Sequence, residues 1–182
     1  NRHIRALSER LVQGEPLTHN MLSWAKQHVE WSLAEGDYTA HDGVLMLVID
    51  VNGNAAMTVG EYEPLADTSA KALRARSAEA RSEADETGVA PELLAAVNNG
   101  ELAFVAPADE CLCGTATLIE QLAQTKGIPV TRVDIPAQLK GALFLVSDEH
   151  GVVPAAETDA AEADAATVAF FADGYEKLRA RR

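Results

Sequence analysis

Residues 102–154 read LAFVAPADECLCGTATLIEQLAQTKGIPVTRVDIPAQLKGALFLVSDEHGVVP, and this stretch decides the fold. Its opening apolar run predicts a strand that is closed by Pro107, and a turn with two cysteines follows. Thr115–Lys126 has apolar residues at helical spacing, and Gly127 stands where a helix often ends in a left-handed residue. Gly141–Val146 is a further apolar run. The stretch therefore predicts strand, turn, helix, strand, linker and strand.

Gly114 lies where the predicted turn becomes the helix. The free amide groups of a first helical turn, together with the positive end of the helix dipole, suit a phosphate or a carboxylate. We therefore expect any anionic ligand at Gly114, Thr115 and Ala116. The alternative is that Gly114 only permits a tight turn.

Composition excludes several classes of partner. A net charge of −13 over 182 residues argues against nucleic acid, whose recognition needs clustered lysine and arginine. The same charge argues against an anionic membrane surface. No apolar run approaches the roughly 18 residues that span a bilayer. Cys111 and Cys113 are too close for an unstrained disulfide, so we expect a reducing, cytoplasmic setting.

The segments before this stretch alternate between helical and extended patterns. Helices are predicted at 2–13, at about 20–35 with Thr18 or Asn20 as cap, and at 69–87 with Asp67 or Thr68 as cap and Gly88 as stop. The near-continuous apolar run Val44–Val51 predicts a central strand. Asn52-Gly53 predicts a turn to a partner strand, Ala55–Gly60.

Two further elements complete the prediction. Glu92–Val97 and Glu101–Val105, joined by Asn98-Asn99-Gly100, predict a second hairpin. Thr167–Arg179 predicts a terminal helix that packs through its aromatic residues. Because helices and hairpins mix along the chain, the predicted class is α+β.

Several short motifs occur in a fixed order in the second half of the chain. They are Val105-Ala106-Pro107, Cys111-Leu112-Cys113-Gly114-Thr115-Ala116-Thr117, Gly127-Ile128-Pro129-Val130, Leu143-Phe144-Leu145-Val146 and Gly151-Val152-Val153-Pro154. Their order resembles that of the fold-type IV pyridoxal phosphate enzymes, which include the class IV aminotransferases and aminodeoxychorismate lyase. The helix that begins at Arg2-His3 and the closing helix with Tyr175 also resemble elements of that family.

The resemblance implies a site built around pyridoxal phosphate. It implies Lys71 as the lysine that forms the Schiff base, and Gly114, Thr115 and Ala116 as the cradle of the phosphate. Glu101 is the nearest candidate for the glutamate that faces the pyridine nitrogen. Ser147 is the candidate hydroxyl near the last strand, where the family places a serine or threonine at the position of Asp148.

The chain also departs from the family pattern. The segment of about a dozen residues that supplies the glutamate is not recognisable, and neither are the family's opening strands. A carboxylate at Asp148 would repel a phosphate held beside it. These departures fit a degenerate member that kept the fold and lost the cofactor, or a chain that lacks pieces of a functional protein.

The resemblance implies a two-lobed class IV aminotransferase-like fold. We expect a small N-terminal lobe at 1–62 and a larger, barrel-like C-terminal lobe at 68–182. The family is homodimeric, with the site between the lobes, where ligand sites often form. The expected function is that of a transaminase or an amino-chorismate-type lyase acting on a small amino acid. The alternative is a cofactor-free homologue that acts as a binding or scaffolding protein.

Two other chemistries stay open at this level. Cys113 precedes a predicted helix, a position that lowers a thiol pKa, and His150 or His41 could serve it as base. Cys111 and Asp148 could join Cys113 and His150 around a metal ion, but no ligand spacing supports a metal site.

Overall fold

The computed structural model describes residues 2–35, 43–50, 52, 54–157 and 159–180 of the chain. Within these ranges the α-helices are α1 (Arg2–Ser8), α2 (His19–Glu35), α3 (Ala70–Thr87), α4 (Gly114–Thr125) and α5 (Glu162–Arg179). The strands are β1 (Leu11–Val12), β2 (Glu15–Pro16), β3 (Gly43–Ile49), β4 (Ala55–Glu61), β5 (Glu92–Asn98), β6 (Glu101–Val105), β7 (Val130–Val133), β8 (Ala142–Ser147) and β9 (Gly151–Pro154). None of the described helices has the length and apolar composition needed to span a bilayer.

The first helix is shorter than the sequence predicts. It ends at Ser8, and the chain then forms the small antiparallel pair β1–β2. Gln13 and Gly14 have φ angles of 52° and 80°, which a right-handed helix cannot contain. The predicted helix over 2–13 was therefore wrong in its second half. The second helix is confirmed, and the Thr18 hydroxyl accepts a hydrogen bond from the Met21 amide at its start.

The hairpin β3–β4 is antiparallel, with Gly43 opposite Glu61 and Ile49 opposite Ala55. We predicted a central strand here, but β3 pairs only with β4 among the described strands. Its side chains alternate between half-buried and exposed, and Met46 and Val48 are 53% and 52% exposed. An apolar run indicates a capacity for burial, and burial depends on whether another layer covers the strand. The predicted turn at Asn52-Gly53 lies partly outside the described residues.

Helix α3 has recognisable capping residues at both of its ends. The Ser69 hydroxyl accepts a hydrogen bond from the Ala72 amide, so Ser69 is the cap in place of the predicted Asp67 or Thr68. The Asp67 carboxylate supports this turn, because it accepts a hydrogen bond from the Ser69 amide. Gly88, with φ of 79°, closes the helix in the left-handed conformation.

The C-terminal half forms a five-stranded sheet in the order β7-β6-β5-β8-β9. All neighbours are antiparallel except β6 and β7, which are parallel and are connected through α4. Among the described strands, β7 and β9 form the edges of this sheet, and the barrel-like form of the C-terminal lobe stays a prediction. The division into lobes at 1–62 and 68–182 stays a prediction.

The sheet buries two separate apolar layers. Because side chains alternate along a strand, Ala95 and Phe144 face one layer, and Leu94 and Leu145 face the other. Helices α4 and α5 cover the first layer, and the start of α3 covers the second through Leu73. The layer to which a side chain belongs determines which other side chains it can contact.

Helix α5 begins at Glu162, five residues earlier than predicted. Asp164 in its first turn is buried and accepts hydrogen bonds from the Asn99 and Gly100 amides, each at 2.9 Å. These bonds tie the β5–β6 turn to α5. Further along, Phe171 packs against Phe144 with ring centroids 6.2 Å apart.

Candidate functional site

The N-terminus of α4 holds a carboxylate from the chain itself. Asp148, in the turn after β8, accepts a hydrogen bond from the Thr115 amide at 2.8 Å and one from the Gly114 amide at 3.3 Å. Each amide contacts a different carboxylate oxygen. The amides that the sequence marks for an anion are therefore satisfied by Asp148, and a phosphate could reach them only by displacing it.

His3 of α1 is the third group at this position. Its Nδ1 atom lies 3.5 Å from the Asp148 carboxylate, and its side chain is 62% exposed. The imidazole also packs directly over Gly114, where an added Cβ would lie 2.7 Å from Nδ1. A glycine at this position thus allows α1 to approach α4 closely. Such an approach leaves no room for a ligand between His3 and the turn.

Asp148 is ionised in this arrangement. Burial raises the pKa of its carboxyl, but the hydrogen bond and the charge attraction of His3 and the bond from the Thr115 amide outweigh burial, and its pKa lies below the usual value. A negatively charged group at a helix N-terminus also interacts favourably with the helix dipole. The carboxylate therefore stabilises the fold at this point.

Cys113 does not have the activated thiol that the sequence suggested. It is 1% exposed, and burial, reinforced by the negative charge of Asp148, raises its thiol pKa far above the ordinary value. The expectation of a lowered pKa was wrong, because the helix terminus acts here on a thiol that has no access to water. His41, one proposed base, lies outside the described residues.

A polar network lies beside Asp148 at the ends of β5 and β8. Arg76 of α3 forms a two-pronged ion pair with Glu92, with both N–O distances at 2.8 Å. Ser147 is fully buried and donates a hydrogen bond to the same carboxylate at 2.9 Å. The Ser147 hydroxyl also accepts hydrogen bonds from the Glu149 and His150 amides. Ser147, predicted to reach a phosphate, is thus fully engaged within the protein.

Two other predicted site residues lie away from this region. Lys71 is exposed in the first turn of α3, two residues before Leu73, which joins the layer on the sheet face opposite to Ala116. Glu101 is exposed and begins β6 opposite Asn98, whereas Ser147 pairs with Glu92 at the other end of β5. The structure therefore brings together Gly114, Thr115, Ala116 and Ser147, and it leaves Lys71 and Glu101 apart from them.

A cleft of about 1070 Å³ opens beside Asp148. Val44–Val48 of β3 and the apolar residues of α1 form one part of its lining. Much of the remaining lining comes from α3 and from the turn that follows β8. Its charged lining residues are His3, Arg10, Arg76, Glu79, Glu83, Glu92, Asp148 and Glu149.

Both arginines of the cleft are already paired. Arg10 contacts Glu83 at 2.9 Å, and Arg76 contacts Glu92. The hydrogen bond with Glu92 raises the pKa of Arg76, and the charges of Glu149 and Glu79 raise it further. Since carboxylates outnumber arginines, the cleft has a negative electrostatic character.

Sequence reasoning identified Asp148 as a departure from the family pattern, but it did not identify its partners. His3 stands 145 positions earlier, in an ordinary amphipathic pattern, and nothing local indicates the contact. The ion pair between Arg76 and Glu92 had no sequence signal either. Within the described residues, no group of three or more histidine, cysteine, aspartate or glutamate side chains is arranged to hold a metal ion.

Comparison with known proteins gives a likeness of fold. No family model matches the chain, and no curated protein matches it. A provisionally assigned branched-chain amino acid aminotransferase from Thermotoga maritima superposes with a TM-score of 0.58 at 16% identity, over 90% of this chain and 75% of that one. A provisionally assigned aminotransferase from Corynebacterium glutamicum gives 0.48 at 14% identity, over 88% and 71% of the two chains. A provisionally assigned 4-amino-4-deoxychorismate lyase gives 0.47 at 18% identity, over 89% and 86%.

The similarity to the Thermotoga maritima structure extends over most of both chains, although few residues are identical. At such identity, structural similarity establishes architecture, while activity must be argued from the site. The chain has an α+β fold of the class IV aminotransferase type, as the sequence predicted.

Proposed function

We propose that this chain is a cofactor-free protein of the class IV aminotransferase fold that binds a small molecule in the cleft beside Asp148. One observation carries the proposal: the Asp148 carboxylate forms the hydrogen bonds with Gly114 and Thr115 that the phosphate of pyridoxal phosphate would need. The sequence left such a cofactor-free homologue open as the alternative to the pyridoxal phosphate enzyme.

The residues present do not fit pyridoxal phosphate. Two unit charges 4 Å apart near a protein surface repel each other by about 4 kcal/mol, and a phosphate beside Asp148 would meet that repulsion with more than one charge. Covalent attachment of the cofactor requires a lysine beside its aldehyde, whereas Lys71 is exposed on α3, two residues before Leu73, which packs in the sheet layer opposite to that of Ala116. Glu101 stands at the far end of β6. Among the residues that the structure describes, the groups that the resemblance assigned to the cofactor are thus not gathered around one position.

The lining of the cleft supports a different kind of ligand. Apolar side chains of β3 and α1 can cover the body of a small molecule. The excess of carboxylates over arginines in its lining favours a neutral or cationic polar end and disfavours an anionic one. We therefore propose a small ligand with an apolar body and without a phosphate group.

The cofactor test uses absorbance of the purified protein with and without added pyridoxal phosphate. We expect no absorbance band at about 410 nm, where a protonated internal aldimine absorbs. Lys71→Ala and Lys26→Ala should behave alike after incubation with the cofactor, because both lysines are exposed. A stoichiometric band that disappears in Lys71→Ala and persists in Lys26→Ala would contradict the proposal and restore the pyridoxal phosphate enzyme.

The ligand test compares straight-chain amines with carboxylic acids of equal length by thermal unfolding at neutral pH. We expect the amines to stabilise the protein and the acids to have little effect, because only the amines complement the carboxylates of the cleft. Equal stabilisation by both series would contradict the proposed ligand class. A homodimer remains part of the proposal, and sedimentation of the purified chain would establish its assembly.

A further inference from the structure

A hollow of about 180 Å³ lies over the ends of β5, β6 and β7, on the sheet face to which Leu94 belongs. Helix α3 lies over the start of β5, where Ser77 accepts a hydrogen bond from the Leu94 amide. The hollow is at the other end of β5, around Asn98, whereas Glu92 at the start of β5 lines the cleft. No described residue lines both spaces, so the hollow is a separate place for a ligand.

Small side chains form the floor of this hollow. Ala96 of β5 lies directly opposite Ala103 of β6, and Ala103 is in register with Thr131 of β7. Because directly opposite residues present their side chains on the same face, the two alanines leave a depression that larger side chains would fill. Val133 and the buried Leu139 add apolar surface. The floor can therefore contact the apolar part of a small molecule.

One wall of the hollow is the linker between β7 and β8, which contains a 3₁₀ turn at Pro136–Gln138. Arg74 of α3 donates a hydrogen bond to the Pro136 carbonyl at 2.8 Å. Leu139 is buried in the apolar layer of this sheet face. Gly141 has a φ angle of 89°, and an added Cβ would collide with the Val97 carbonyl oxygen. The linker is thus held at three points, and the wall is already formed without a ligand.

Polar side chains with charges of both signs surround the floor. Glu101 supplies a carboxylate and Lys140 an ammonium group, and neither has a hydrogen bond or an ion pair with another residue that the structure describes. Uncharged hydrogen-bonding groups come from Asn98, Thr131 and Gln138, all of them exposed. An apolar floor with a few polar groups around it is the usual form of a small-molecule site.

We propose that this hollow binds a small zwitterion, with Glu101 beside its cationic group and Lys140 beside its anionic group. A cavity of about 150 Å³ holds one benzene molecule, so the hollow accommodates roughly six to eight non-hydrogen atoms. A ligand with one charge would form a charge-assisted hydrogen bond with only one of the two residues, whereas a zwitterion can bind both. The proposal goes beyond the proposed function and does not depend on what the cleft binds.

The experiment titrates the full chain with β-alanine and follows the backbone amides by two-dimensional NMR. Propylamine and propionate, which each carry one of the two charges, are the control compounds. We expect the amides of Glu101, Thr131 and Lys140 to shift with β-alanine. The control compounds should bind there at least ~10-fold more weakly, since one charge-assisted hydrogen bond is lost. The amides of Val44–Val48 report on the cleft in the same spectra.

Substitutions test the two charged residues separately. Glu101→Gln and Lys140→Met should each weaken β-alanine binding by at least ~10-fold. Both residues are exposed, so the variants should fold as the natural chain does. Lys177→Met, at an exposed lysine of α5, is the matched control and should leave binding unchanged. Glu101→Lys combined with Lys140→Glu should bind more tightly than either single reversal, because a zwitterion can bind in the opposite orientation.

Three outcomes would overturn the inference. The first is the absence of amide shifts in the hollow at about 0.1 M β-alanine, a concentration that would saturate a site with a Kd on the order of 1 mM. The second is equal binding of all three compounds in the hollow. The third is unweakened binding by both Glu101→Gln and Lys140→Met. These results concern the hollow alone, so they leave the absorbance and ligand tests of the proposed function unaffected.

Discussion

The substitution Asp148→Asn tests the electrostatic role of this residue in the fold. It preserves the size of the side chain and removes its charge. A hydrogen bond to a charged acceptor contributes about 1.5–3 kcal/mol and a neutral one about 0.5–1.5 kcal/mol. Asparagine also offers one acceptor oxygen where the carboxylate offers two, so one of the amides of Gly114 and Thr115 would lose its partner.

We expect the variant to lose about 2 kcal/mol of unfolding free energy at pH 7. For a chain of this length, that loss lowers the midpoint of thermal unfolding by about 4–8 °C. Asp173→Asn is the matched control, because Asp173 is an exposed carboxylate on α5. A surface change of this kind should stay within about 0.5 kcal/mol.

The difference between the natural chain and Asp148→Asn should depend on pH with a defined sign. The pKa of Asp148 is lower in the folded protein than its ordinary value, so the folded state favours the ionised carboxylate. Its contribution is therefore complete above the unfolded-state pKa of about 3.9. The contribution is lost as the pH falls through the lower folded-state pKa.

Urea unfolding of both proteins between pH 7 and pH 3 measures this difference. His3, Cys113 and Tyr175 also face Asp148, and all three are present in both proteins. Equal stability of the two proteins at pH 7 would refute the reasoning. So would a stability difference that persists unchanged at the acid end.

The remaining predictions concern other contacts of the fold. Asp164→Ala should lower the free energy of unfolding by about 3 kcal/mol, because the Asn99 and Gly100 amides lose a buried acceptor. Urea unfolding measures this loss, and a loss below about 1 kcal/mol would contradict the proposed link between α5 and the β5–β6 turn. Glu92→Ala should lower the free energy of unfolding by about 2 kcal/mol. This is less than for a fully buried ion pair, because the Arg76 side chain is 38% exposed. An unchanged urea midpoint would argue against a stabilising role of the Arg76–Glu92–Ser147 network. Iodoacetamide at neutral pH should label the exposed Cys111 and leave the buried Cys113 unlabelled until the protein unfolds. Mass spectrometry of peptides would identify the labelled cysteine, and prompt labelling of Cys113 would contradict its burial and its raised pKa.

The helices and hairpins of the second half could be read from the sequence because their signals are local. The strand before Pro107, the helix α4 and the Gly88 stop depend on residues a few positions apart, and periodicity and capping describe such neighbours. The order of the same segments was enough to predict the class IV aminotransferase-like fold.

The site could be read only in part, for a physical reason. The sequence identified the amides of Gly114 and Thr115 as an anion position, because a helix N-terminus creates that field by itself. Which anion fills the position depends on a carboxylate that the sheet brings in from the turn after β8, and on His3 from the first helix.

Packing decided the remaining features. The exposure of β3 depends on which layers cover which strands, and hydrophobicity alone does not specify this. Lys71 lies on α3 two residues before Leu73, and Leu73 packs in the sheet layer opposite to that of Ala116, which no local pattern indicated. Local sequence patterns determined the helices and strands and the positive electrostatic potential at the N-terminus of α4. The tertiary contacts of Asp148 determined that a carboxylate of the protein itself occupies that position.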